Sequence, residues 1–272
     1  MRGLFTAGVT DVMMENNIEF DCAVGVSAGA AFGCNVKSRQ PGRAMRYNIR
    51  YANDRRYCSL YSLIKTGDLY GADFCYREIP RELDIFDSET FRNNKMDFYV
   101  VCTDVSTGRA VYHRCEKGDN DDMEWIRASA SMPLVSRIVS IDGHPLLDGG
   151  VSDSIPLKFC ESTGCKRNVV ILTQPMGYVK KKSRSLPLIA AAMKKHPALV
   201  RAMYRRHIMY NRELECVQGR EGAGKAMVIR PPQALGISRT EHDTDELMRV
   251  YNIGREVMLS RLDELKAFLS AE

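Results

Sequence analysis

One serine in this 272-residue chain stands in a setting suited to nucleophilic chemistry, Gly25-Val26-Ser27-Ala28-Gly29. A serine projecting from the tip of a sheet sits in a strained strand-to-helix turn, and glycines two residues to either side remove Cβ atoms that would collide there. The amide of Ala28 would lie at a helix N-terminus, where unpaired N–H groups and the dipole favour developing negative charge. The same five residues also fit a tight turn whose serine only caps the helix.

A serine nucleophile needs a base. Asp148-Gly149-Gly150, after Leu146-Leu147, offers a carboxylate at a strand end, followed by two residues that permit unusual backbone angles and could aim it into a cleft. Alone, the motif reads first as an Asp-Gly hairpin turn. Histidine is the commoner base, but none of the five, His113, His144, His196, His207 and His242, has a context as pointed as that of Ser27. His144 and His242 stay open as candidates. A buried carboxylate can take the proton directly if its basicity is raised, so a Ser27–Asp148 dyad is the leading arrangement.

The elements that must hold these groups alternate in type. Apolar spacing predicts a helix near Leu4–Met13, a buried strand at Cys22–Val26 and a small-residue helix at Ala28–Val36. Strands follow at Phe98–Val105, Ala110–Arg114, Ile138–Ile141, Asn168–Thr173 and Met227–Ile229, with helices at Asp122–Ala130, Ala198–Cys216 and Thr244–Leu269. This alternation predicts an α/β layered fold with a mostly parallel central sheet flanked by helices. Without a repeat or low-complexity linker, residues 1–272 are read as one domain, with the motifs inside 1–156 and residues 157–272 completing the same fold.

Composition is that of an ordinary globular protein, with a formal charge of +5 and 44% hydrophobic residues, which excludes disorder and collagen. Nine cysteines without a C-x-x-C pair suggest neither a disulfide framework nor a zinc site, and a reducing, cytoplasmic setting fits them. Cys22 and Cys34 read as small apolar fillers. No apolar run approaches the roughly 20 residues of a spanning helix.

The motifs resemble those of the patatin-like phospholipases, serine acyl hydrolases with a Ser-Asp dyad on an α/β fold. Gly25–Gly29 matches the family's nucleophile motif, and Asp148-Gly149-Gly150 matches its D-G-[GA] motif in order and separation. Ala128-Ser129-Ala130-Ser131-Met132-Pro133 resembles the A-S-x-x-x-P segment that precedes the aspartate. The resemblance runs from Met1 to about Pro156. It implies that Ser27 attacks an acyl ester carbonyl, that Asp148 carries the proton, and that no metal or organic cofactor is needed.

The match departs from the family in one place. The oxyanion-hole motif G-G-G-x-[RK]-G survives only as Met1-Arg2-Gly3, its last three positions. The earlier glycines and their strand would lie upstream of Met1, leaving the amides of Gly3 and Ala28 as donors. Loss of one donor costs about 10²–10³ in rate, so weak activity and an exposed sheet edge are expected.

An α/β-hydrolase with a Ser-His-Asp triad is a rival reading, but that fold places several strands before its nucleophile. A second rival is a non-catalytic lipid-surface protein. Lys180 to His207 carries Lys180, Lys181, Lys182, Arg184, Lys194, Lys195, Arg201, Arg205 and Arg206 without an acidic residue, interleaved with Leu186, Leu188, Ile189, Leu199 and Met203. Such a stretch could lie on an anionic bilayer, or be a solvated helix face over the core. Lys37 to Arg56, with seven basic residues against one acidic, would add steering toward lipid head groups. No nucleic-acid-binding module accompanies either stretch, so the expected partners are an acyl-ester substrate and peripheral contact with a membrane surface.

Overall fold

Helix α1 (Gly3–Glu15) leads into strand β1 (Cys22–Val26), and the chain turns at Ser27 into α2 (Ala28–Lys37). These are the expected elements. A computed structural model describes residues 1–271. Next come α3 (Arg43–Arg50), α4 (Leu60–Thr66), a wide π-type helix over Phe74–Leu83 and α5 (Ser88–Asn93), none of which the apolar spacing had indicated. Local chemistry still sets their ends, for Ser59 and Asp87 cap α4 and α5 by accepting the N–H of Ser62 and of Thr90.

Strands β2 (Asp97–Asp104) and β3 (Ala110–Cys115) are followed by α6 (Asn120–Ala130), capped by Asp119. Strands β4 (Val139–Ile141) and β5 (His144–Asp148) come next, then α7 (Leu157–Ser162), β6 (Asn168–Ile171), α8 (Leu186–Ala192), α9 (Pro197–Gly222) and β7 (Ala226–Ile229). The long C-terminal helix is two, α10 (Thr244–Ser260) and α11 (Leu262–Ser270), because Arg261 leaves helical geometry with φ −117° and ψ 13°.

The α/β class is as the alternation indicated, with helices flanking the sheet. Parallel pairing joins β1 to β2 and β6 to β7, each pair linked by a long helical crossover. The other pairings, β2 with β3, β2 with β5 and β4 with β5, are antiparallel. Connection length explains two of these pairings: the short loop after Asp104 and the two-residue turn Asp142-Gly143 are too short for a crossover, so each can only fold the chain back as a hairpin. That turn has φ of 50° and 78°, the left-handed values a tight hairpin needs.

Strand β2 is the ruler of the fold. Strand β3 covers its residues 98–103 along one edge, while the other edge carries β1 against residues 97–101 and β5 against residues 102–104. Because β1 runs parallel to β2 and β5 antiparallel, the two strands meet end to end, Val26 opposite Val101 and Asp148 opposite Cys102. This register brings the turn after β1 and the last residue of β5 together.

The two sheets are not hydrogen-bonded to one another among the described residues, and β1 and β6 each leave an edge unpaired. Both strands line one cavity of about 1190 Å³. One apolar cluster is drawn from both ends of the chain, joining Leu4, Phe5 and Val9 of α1 to Leu247, Val250 and Met258 of α10. The crossing is close enough that a Cβ on Gly254 would stand 2.1 Å from the Phe5 carbonyl oxygen. No helix among the described residues is long and apolar enough to cross a membrane.

Candidate active site

Ser27 sits in the turn between β1 and α2 with φ 56° and ψ −120°, a region L-residues seldom adopt and one costing about 1–3 kcal/mol. That strain is held by its surroundings. The Ser27 amide donates to Ser129 Oγ at 3.0 Å, and Ser129, fully enclosed, donates onward to the Val101 carbonyl at 2.7 Å. The Ala128–Pro133 segment therefore acts by bracing the serine turn. A Cβ on Gly25 would stand 2.6 Å from Ala30 Cα, so only glycine fits there. Gly29 differs from expectation, since a Cβ there would meet nothing within 4 Å.

The Ser27 hydroxyl donates to Asp148 Oδ2 at 2.7 Å, although the two residues are 121 positions apart in the chain. The other carboxylate oxygen accepts the Gly150 N–H at 2.7 Å, and the Asp148 amide donates to the Ser131 carbonyl at 2.7 Å. Asp148 is thus fixed at both backbone and side chain. Gly149 and Gly150 serve close approach rather than unusual angles: neither has positive φ, and a Cβ on Gly149 would lie 2.1 Å from the Val101 oxygen. The Asp-Gly hairpin turn of this region is at Asp142-Gly143, at the opposite end of β5 from Asp148.

Burial raises the Asp148 carboxyl above its ordinary value, while the Arg206 guanidinium, the Ser27 hydroxyl and the Gly150 amide pull it back. The result is a carboxylate more basic than a free one, held against a hydroxyl. No histidine lines the cavity that contains Ser27 and Asp148. His144 is 3.3 Å from Asp104, and His242 Nδ1 lies 2.5 Å from the Ala52 carbonyl, so both open candidates are engaged elsewhere.

Two helices begin at this point. Gly3 starts α1 and Ala28 starts α2, so their N–H groups have no intrahelical acceptor, and the two residues pack so closely that a Cβ on Gly3 would stand 2.7 Å from Ala28 Cβ. Converging N-termini concentrate partial positive charge beside Ser27.

Four cations add to it. Arg2, Lys180, Arg206 and Arg239 all line the same cavity, and none of them forms an ion pair within 4.0 Å of a carboxylate among the described residues. Burial, aided by the three guanidiniums, lowers the Lys180 ammonium to about 8. Arg206 Nε donates to the Gly150 carbonyl at 2.5 Å, tying α9 to the aspartate turn. Glu213, two turns further along α9, accepts the N–H groups of Ser154 and Ile155 at 3.2 and 3.0 Å.

The site use of Arg206 and Glu213 was not read from the sequence. A signal was present: Leu199, Met203, Arg206, Tyr210, Glu213 and Val217 recur at three- and four-residue spacing, so both charged residues fall on the inward stripe of α9. Within Lys180–His207, Leu186, Ile189, Leu199 and Met203 are buried in one apolar cluster with Val105 and Leu147, whereas Leu188 is exposed. Within Lys37–Arg56, Lys37 and Arg43 are buried too, the former reaching the Cys115 carbonyl and the latter Asp84.

A family model described as patatin-like phospholipase matches residues 1–160, and a second, described as a domain of unknown function, matches residues 196–270. The chain is 33% identical over 184 residues to the uncharacterized protein YjjU of Escherichia coli (strain K12), an alignment covering 64% of this chain and 49% of that protein. It is 25% identical over 182 residues to a putative patatin-like phospholipase domain-containing protein, M110.7, of Caenorhabditis elegans, covering 62% of this chain and 15% of that one. The matched part thus spans about half of the first relative and a smaller share of the second.

Proposed function

The chain belongs to the patatin-like phospholipase family, and on that premise we propose that it hydrolyses acyl esters with Ser27 as nucleophile and Asp148 as base. The observation that carries this reading is the 2.7 Å bond from the Ser27 hydroxyl to a buried carboxylate, in a cavity that no histidine lines. Asp148 takes the hydroxyl proton as Ser27 Oγ attacks the acyl carbonyl. The oxyanion forms against the N–H groups of Ala28 and Gly3. When the intermediate collapses, Asp148 returns the proton to the departing alcohol. A water, deprotonated by the same carboxylate, then attacks the acyl-enzyme and frees the acid, so ester and water become acid and alcohol. Gly25 and Gly29 flank the nucleophile, Gly149 keeps the aspartate turn close to β2, and Gly150 donates its N–H to the Asp148 carboxylate.

The unpaired cations point to the substrate class. Arg2, Lys180, Arg206 and Arg239 suit an ester that carries an anionic group near its scissile bond, as a phospholipid does. Exposed Val179 and Leu188, near exposed Lys181, Lys182 and Arg184, suit peripheral contact with an anionic membrane. Flotation of the protein with vesicles of neutral and of anionic lipid tests that contact, and equal binding to both would remove it.

Labelling with a fluorophosphonate probe tests the enzymatic reading. We expect a covalent adduct on Ser27 in the native chain and none in Ser27→Ala. Labelling that persists in Ser27→Ala overturns the nucleophile assignment.

A further inference from the structure

Six of the nine cysteines fall into two groups of three. Cys34, Cys102 and Cys115 are enclosed in one apolar cluster, and burial pushes their thiols up, Cys34 to about 11. They are the small apolar fillers expected of cysteine. Cys22, Cys160 and Cys165 are different: each is half-buried, and their sulfur atoms all lie within 4.8 Å of one another. The reading of Cys22 as a core filler is therefore replaced.

Three separate elements build this cluster. Cys22 is the first residue of β1, Cys160 lies on α7, and Cys165 stands in the turn leading to β6. Thr163 Oγ1 donates to Cys22 Sγ at 3.8 Å and lies 3.4 Å from Cys165 Sγ. All three cysteines line the cavity that holds Ser27. Cys22 and Ser27 sit at opposite ends of β1, about 16 Å apart at 3.3 Å per residue.

We propose that Cys22, Cys160 and Cys165 form a three-thiolate binding site for a thiophilic divalent cation, with Zn²⁺ as the fitting ion. Tetrahedral Zn–S bonds of about 2.3 Å place sulfurs about 3.8 Å apart, so closing the site from its present spacing needs movements of under about an ångström. The ligand set is all sulfur, without a carboxylate or imidazole, which selects against Mg²⁺ and Ca²⁺. All three ligands line the cavity, so a water from it could supply the fourth ligand. Binding forms three Zn–S bonds and releases to solvent whatever thiol protons remain.

The bound ion would have a structural consequence. β1 belongs to the five-stranded sheet and β6 to the two-stranded one, with no hydrogen-bonded pairing between the sheets. A cation held by Cys22 and Cys165 would tie the two together across one wall of the cavity, at the end away from Ser27.

The test uses the full chain, purified under reductant and then freed of it, titrated with Co²⁺ and with Zn²⁺. We expect one Co²⁺ per chain with thiolate charge-transfer and tetrahedral d–d absorption, displaced by Zn²⁺, and a Tm raised by Zn²⁺. Cys22→Ser, Cys160→Ser and Cys165→Ser should each weaken binding at least tenfold, a loss of about 1.4 kcal/mol, while Cys34→Ser keeps it. Absence of thiolate–cobalt absorption in the native chain, or its retention in all three single variants, overturns the site. So does a Cys22–Cys160 disulfide that re-forms and excludes the metal, since the cluster would then be a redox pair. Ser27 labelling is not the readout, so the outcome is independent of the hydrolase assignment.

Discussion

Residues 1–160 place Ser27 and Asp148 largely through backbone, whereas residues 196–270 reach the same cavity with side chains. In the first region the serine turn and the register along β2 fix Ser27 and Asp148, with the Ser129 hydroxyl as the one side-chain brace of the turn. In the second, Arg206 and Arg239 extend into a cavity whose walls are already built, and Glu213 fastens α9 to the loop after Asp148. Backbone placement tolerates almost no substitution, because strain and close approach leave no room. Side-chain placement admits graded change. The two regions should therefore respond to mutation on different scales.

The largest effect is expected at the nucleophile. Ser27→Ala should lower turnover by about 10⁶, measured with a soluble acyl ester. Asp148→Asn should cost on the order of 10⁴ in turnover. Because burial raises this carboxyl, its ionised form is less favourable in the folded chain than in the unfolded one, so stability from this group is fullest at low pH and lost as pH rises through the raised value. Asp148→Asn should consequently show no fall in Tm at neutral pH, and a marked fall would mean that the residue is a structural cap. The same raised value places the acidic limb of the activity profile above the ordinary aspartate range, and Asp148→Asn should abolish it.

Smaller losses are expected from the C-terminal region. Arg206→Met should lower kcat/KM for an anionic ester by about 10–10², the cost of one charged hydrogen bond, with a smaller loss for a neutral ester. Arg239→Gln, on an exposed side chain, should lower it by a few-fold and only for the anionic substrate. Losses as large as that of Ser27→Ala, or equal losses for charged and neutral esters, would break the division between the regions.

A last measurement sharpens the comparison through pH. Burial and the neighbouring Asp153 carboxylate raise Glu213 to about 8. A carboxyl raised on folding stabilises fully below its unfolded value of 4.5, and that contribution is lost as pH rises through about 8. Thermal unfolding should show Tm falling by a few degrees between neutral and mildly alkaline pH, with Glu213→Gln flattening the fall. An unchanged slope in the variant would show that the α9 contact does not titrate.

How much of this was legible depends on how far apart the cooperating atoms are in the chain. Gly25–Gly29 was readable because a strained serine turn needs its glycine within two residues, although the open space at Gly29 shows that only Gly25 answers a steric need. Asp148 was readable as a carboxylate at a strand end. The helices between Gln40 and Asn94 were not read, because their caps are single polar residues and their apolar stripes are short. The hairpin at Asp142-Gly143 was missed although its turn chemistry is local, since the Asp-Gly pair six residues later carries the same turn signal.

Sequence by itself determined the residue types, the strand-turn-helix at Ser27 and the α/β class, all of which follow from interactions among near neighbours. Tertiary structure decided that β1 and β5 meet end to end on β2, that Arg206 turns inward while Arg205 faces solvent, and that Cys22 joins Cys160 and Cys165. Those outcomes depend on strand register and helix rotation, which are set when distant apolar surfaces are buried together, and no short stretch of chain contains that information.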